Sequence, residues 1–116
     1  MNIQECIDQT HWQCDTPSLD LNKEISGAYV GDLLSWVMGR GNAGDAWITV
    51  QVHVNVLAVA VLREFSCVIV ADNAVVTEEF VKKAADEGLV ILESKMPSYE
   101  TAVKLHDGIR RYDRYG

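Results

Sequence analysis

Ile48-Thr49-Val50-Gln51-Val52-His53-Val54-Asn55 passes from strand-like apolar residues through polar side chains into the apolar run Val56 to Leu62. Polar groups gathered where a strand gives way to a helix are where open α/β domains hold ligands. If the extended conformation persists, Gln51 and His53 share one strand face and Asn55 sits near the next helix start. Thr49, Gln51, His53 and Asn55 are therefore candidate ligand contacts. The alternative is that His53 and Asn55 cap the helix or satisfy buried backbone groups. His53 can also serve as an acid/base group, although no carboxylate or nucleophile stands at motif spacing from it.

Upstream, Ala28-Tyr29-Val30 reads as a strand. Asp32 then stands at a strand-to-helix turn, where it can hold a ribose hydroxyl or a cation, or cap a helix carrying Leu33, Leu34, Val37 and Met38 on one face. Trp36 lies off that stripe and is expected at a dimer contact, because aromatic residues are enriched in interface cores. Trp47 to Val52 is the next strand. Val54 to Glu64 is a largely apolar helix, expected to be buried on most sides, and Cys67 to Ala71 is a strand rich in β-branched residues. Thr77 caps a helix with Phe80, Val81, Ala84 and Ala85 inward, Gly88 stops it, Leu89 to Leu92 forms a strand, and Pro97-Ser98 opens the last helix. Before all of these, Asn2 to Gln9 forms a short helix and Trp12 to Cys14 a short strand. Strands alternating with helices of about ten residues indicate βαβ units, hence an α/β domain with a mainly parallel sheet.

The 116 residues fit one domain, since domains usually run to roughly 100–150 residues. A hydrophobic share of 48% with 23% charged residues argues for an ordered globular unit. Lys and Arg number 10 against 17 Asp and Glu, and the resulting net charge of -7 repels nucleic acid. Cys6, Cys14 and Cys67 are odd in number and lack CxxC spacing, which suits reduced thiols in a cytoplasm better than a disulfide framework. Cys6, His11 and Cys14 can supply three metal ligands in principle, but no compact pair or fourth ligand accompanies them, so no metal or cofactor is expected. Glu5 and Asp8 stand where a signal peptide needs basic residues before an apolar run, and no stretch reaches the ~18 apolar residues of a membrane span.

Gly39-Arg40-Gly41-Asn42-Ala43-Gly44 spells the GxGxxG string of dinucleotide sites, but it follows a helix and leads into a strand. The dinucleotide motif needs the reverse order, so these glycines are expected to end a helix and make a turn. No GxxxxGK[ST] is present to hold a nucleotide triphosphate. Arg110-Arg111-Tyr112-Asp113-Arg114-Tyr115 is either a solvated helix end whose cations complement the helix dipole or a surface for an acidic partner.

Ser26-Gly27-Ala28-Tyr29-Val30-Gly31-Asp32-Leu33-Leu34-Ser35, followed by Gly44-Asp45-Ala46-Trp47-Ile48-Thr49-Val50-Gln51 and His53, resembles the DRTGG domain family. The resemblance extends over nearly the whole chain. The segment bearing the family's name reads Asn22-Lys23-Glu24-Ile25-Ser26-Gly27-Ala28, with Gly27 retained and the eponymous residues mostly replaced. The resemblance implies a single three-layer domain like the N-terminal domain of HPr kinase/phosphorylase, without that kinase's catalytic half. It also implies a small dimer, occurring alone or beside CBS domains, where the association is with adenine-nucleotide regulation. The reading that follows is a non-catalytic, cytoplasmic, homodimeric module that senses a small ligand such as an adenine nucleotide. One alternative is an enzyme or enzyme subunit using His53 with Asp32 as its polar companion. Another is an adaptor whose Trp36 surface and arginine tail recruit a redox enzyme such as an iron-only hydrogenase system.

Overall fold

The computed structural model describes the backbone of residues 1–115 and the side chains of residues 1–112. Five helices and five strands follow in the order α1 (Ile3–Thr10), β1 (Gln13–Cys14), β2 (Gly27–Val30), α2 (Leu34–Arg40), β3 (Asp45–Thr49), α3 (Val54–Leu62), β4 (Cys67–Val70), α4 (Glu78–Asp86), β5 (Val90–Glu93) and α5 (Ser98–Tyr115). The strands form one sheet in the order β1-β5-β4-β3-β2. β2 to β5 are parallel, and β1 runs antiparallel to β5 on the outer edge.

Every residue of β3 and β4 is buried, as strands covered on both faces must be. Alternation along the strands divides the core in two. Trp47, Val68, Val70 and Ile91 face a cluster built with Val37 of α2, Val56 and Leu57 of α3, and Phe80 and Ala84 of α4. Ala46, Ile48, Cys67, Ile69, Val90 and Leu92 face the other way, against Ile3 and Cys6 of α1 and Leu105 of α5. The three crossovers β2-α2-β3, β3-α3-β4 and β4-α4-β5 thus lay their helices on one face, as crossovers of a single hand do. Helices α1 and α5 cover the other, completing the three-layer α/β architecture.

Local signals placed most elements. Asn2 and Glu5 form a reciprocal capping box on α1, and the Thr77 side chain accepts from Phe80 N–H at the start of α4. The glycine string ends α2, with Gly41 N–H donating to Val37 O at 2.9 Å. Gly44, at φ +85, turns the chain into β3, and a Cβ there would lie 2.5 Å from Ser26 Oγ.

Three expectations are corrected. β3 stops at Thr49 instead of running to Val52, because Val50 N–H is taken by the Asp32 side chain rather than by a neighbouring strand. Asp32 does not cap α2: the residue in that position is Leu33, and no side chain closes the helix. α3 ends at Leu62 and is not buried on most sides. Val56, Leu57, Val59 and Ala60 are buried, while Val54, Ala58, Val61 and Leu62 face outward, Leu62 at 68% exposure.

No helix among the described residues is long and apolar enough to cross a membrane. No group of three or more His, Cys, Asp or Glu among them is arranged to hold a metal ion.

Candidate functional site

The sequence placed its candidates at the carboxyl ends of β2 and β3, and the structure joins two of them directly. Asp32 Oδ1 accepts from Thr49 Oγ1 at 2.8 Å and from Val50 N–H at 2.9 Å. Thr49 is fully buried, and its Oγ1 also accepts from Gln51 N–H at 3.1 Å. The Thr49 hydroxyl is therefore engaged as both donor and acceptor, and Asp32 ties the turn after β2 to the end of β3. Beside this tie, Trp47 Nε1 donates to Gly31 O at 2.8 Å, fixing the same turn from the core side.

Gln51 and His53 do not share a strand face, since the chain has left the sheet at Thr49. His53 takes the capping role: its Nδ1 accepts from Asn55 N–H at 3.1 Å and its backbone is extended ahead of α3. That bond occupies the Nδ1 lone pair, leaving only Nε2 for other contacts. Gln51, His53 and Asn55 are exposed around the Asp32–Thr49 tie.

A second locus lies across the sheet. The connection leaving β4 leads to α4 on one face, while the connection leaving β5 leads to α5 on the other. The carboxyl ends of β4 and β5 therefore bracket a switch in connection direction, the position at which open sheets form ligand crevices. The two loops are fastened there: Asp72 N–H donates to Met96 O at 2.7 Å and Asn73 N–H to Ser94 O at 3.2 Å. Asp72 and Asn73 adopt φ +60 and +53, and Ala74 N–H closes on Ala71 O at 3.2 Å. Asx residues tolerate these left-handed conformations better than most side chains.

Beside the fastened loops opens a polar cleft of about 410 Å³, lined among others by His11, Asn73, Glu93, Ser94, Lys95 and Lys104. Two lysines and a histidine converge there in a chain whose net charge is -7. Sequence reasoning missed this cleft. The one available signal was Asp72-Asn73, a pair suited to consecutive left-handed residues and hence to a shaped loop after a strand.

A third depression, of about 380 Å³, runs between α3 and α4 over the outward apolar residues of α3 and is rimmed by Lys83, Asp86 and Glu87. Trp36 is 54% exposed, with the Arg40 guanidinium 4.1 Å from its ring centre, and Leu33 and Val30 are exposed nearby. Cys6, Cys14 and Cys67 are free thiols. Burial pushes the Cys6 thiol up to about 11, against a lowering contact with Thr10, and drives that of Cys67 well up as well. Arg110 and Arg111 are exposed on α5, while the side chains of Asp113, Arg114 and Tyr115 lie outside the described residues.

No family model matches the chain, and no curated protein matches it. Among solved structures, the chain is similar to the CBS and DRTGG domains of the regulatory region of Clostridium perfringens pyrophosphatase, complexed with its activator diadenosine tetraphosphate. The TM-score is 0.65 at 14% identity, over 90% of this chain and 45% of that one. The chain thus spans less than half the length of that structure, and the two share a fold, in keeping with the DRTGG resemblance of the sequence.

Proposed function

We propose that this chain is a non-catalytic regulatory domain that binds a small anionic ligand, an adenine nucleotide or related phosphate, in the cleft at the carboxyl ends of β4 and β5. The carrying observation is the convergence of Lys95, Lys104 and His11 on a polar cleft of about 410 Å³ at a switch in connection direction. Lysine ammonium groups act as mobile point charges toward phosphate, and Asn73 adds hydrogen-bonding groups. The fold-sharing pyrophosphatase region, crystallised with an adenine-nucleotide activator, supports the regulatory reading. The engagement of His53 Nδ1 in capping weighs against a general-base role through that atom.

Thermal-shift titration with adenine nucleotides, inorganic phosphate and pyrophosphate tests the proposal, because selective binding to the native state raises apparent stability. A saturable shift with one of these, abolished by Lys95→Ala and Lys104→Ala together but kept by His53→Ala, is the expected result. A shift lost in Gln51→Ala or His53→Ala and kept in the lysine pair would move the ligand to the Asp32–Thr49 end. Absence of any shift would sink the ligand-binding reading.

We infer further that two copies associate through the surface carrying Trp36, Leu33 and Val30, where exposed apolar groups flank the open edge of β2. Buried, protonated thiols fit work in the reducing cytoplasm.

A further inference from the structure

β1 pairs with the sheet over two residues. Gln13 lies opposite Glu93 and Cys14 opposite Leu92. Beyond that register, Asp15 N–H donates to Ile91 O at 3.0 Å and Ile91 N–H to Thr16 Oγ1 at 3.1 Å. Gln13 of β1, Asp15 just after it and Glu93 of β5 line one cleft against α4. Gln13 Nε2 donates to Asp15 Oδ1 at 2.6 Å and to Glu93 Oε2 at 3.2 Å. One amide group therefore serves two carboxyls, and Asp15 Oδ2 is buried without any partner. Two ionised carboxylates only accept hydrogen bonds, so they repel one another and leave that oxygen unsatisfied. One shared proton supplies the missing donor and removes the repulsion.

We propose that Asp15 and Glu93 form a proton-sensitive latch that fastens β1 to β5, closed while the pair holds one proton and loosened when both carboxyls ionise. The groups facing it come from several elements. Glu78 and Lys82 of α4 line a cleft of about 330 Å³ together with Gln13, Asp15 and Glu93. Lys95 follows β5, and Lys104 of α5 and His11 after α1 share the polar cleft with Glu93. Glu78 adds negative charge, and the cations oppose it. Burial, then the hydrogen bond and charge of Asp15, raise the Glu93 carboxyl to about 7 against the lowering pull of Lys95.

A carboxyl whose affinity for its proton rises on closing contributes most below the ordinary glutamate range. That contribution is lost as pH climbs from about 4.5 toward about 7. Between pH 6 and 8 the ratio of closed to open β1 is expected to fall by up to about tenfold. The latch does not require the ligand-binding reading, although Glu93 lines both clefts.

Hydrogen exchange on the full chain tests it. Protection of the Asp15 and Ile91 amides, corrected for intrinsic exchange, should fall across pH 6 to 8 while amides of β3 and β4 hold theirs. In Glu93→Gln and in Asp15→Asn the fall should vanish. Carbon-detected titration of the Glu93 carboxyl in the unaltered protein should show a midpoint near 7, which keeps the test decisive if either variant folds poorly. Constant protection in the unaltered protein, a fall that persists in both variants, or a Glu93 midpoint in the ordinary carboxylate range would overturn the latch.

Discussion

Thr49 illustrates how a single hydroxyl decides where a strand ends. Its Oγ1 donates to Asp32 and accepts from Gln51 N–H, so a buried polar atom is satisfied only in the turned conformation. Thr49→Val keeps the shape and removes both bonds, leaving a backbone donor without its partner. A loss of about 1–3 kcal/mol in urea unfolding is expected. Asp32→Asn retains the carbonyl oxygen that accepts both contacts and should cost much less than Asp32→Ala. Because Asp32 and Thr49 act as a unit, Asp32→Ala combined with Thr49→Val should cost less than the sum of the two, and strict additivity would show that the tie is idle. Both residues stood out in the sequence, but their bond did not. They lie 17 positions apart, and nothing in the local pattern shows that Val50 N–H goes to a side chain.

At the level of elements, the sequence was most legible where the period was clean. The α4 cap at Thr77 appears where patterning put it, while β4 ends one residue early, at Val70, and β5 lies one residue later than expected, at Val90–Glu93. α3 was harder: Val54 to Leu62 is apolar on nearly every side, so composition could not show that one side faces out. The polar cleft was harder still, since it draws residues from widely separated segments and its lysines look like any surface lysines in a linear reading. The end of α2 offers a sharp comparison. A methyl added at Gly39 meets open space, whereas one added at Gly41 would collide with the Phe65 ring. Gly39→Ala should therefore stabilise by roughly 0.5–1 kcal/mol, and Gly41→Ala should destabilise by about 1–3 kcal/mol. Thermal melts of the pair check both signs.

For the whole molecule, association is the first question. If the Trp36 surface joins two copies, light scattering should give twice the chain mass, and Trp36→Ala or Val30→Lys should return it to that of one chain. Since Val30 and Trp36 are 48% and 54% exposed, these variants should leave the isolated domain's stability within about 0.5 kcal/mol. A monomeric mass in the unaltered protein at micromolar concentration would reject the dimer. The sheet order has another consequence, in time rather than in space. β2 to β5 lie side by side in chain order, so each can dock on the strand just completed, closing short loops as it goes. β1 has no such neighbour: Gln13 waits for Glu93, 80 positions later. Gln13 is thus made well before the residue it pairs with, and it is among the last to find a partner. Loosening that late step, as with Thr16→Val, should speed unfolding and leave the folding rate almost untouched in stopped-flow kinetics.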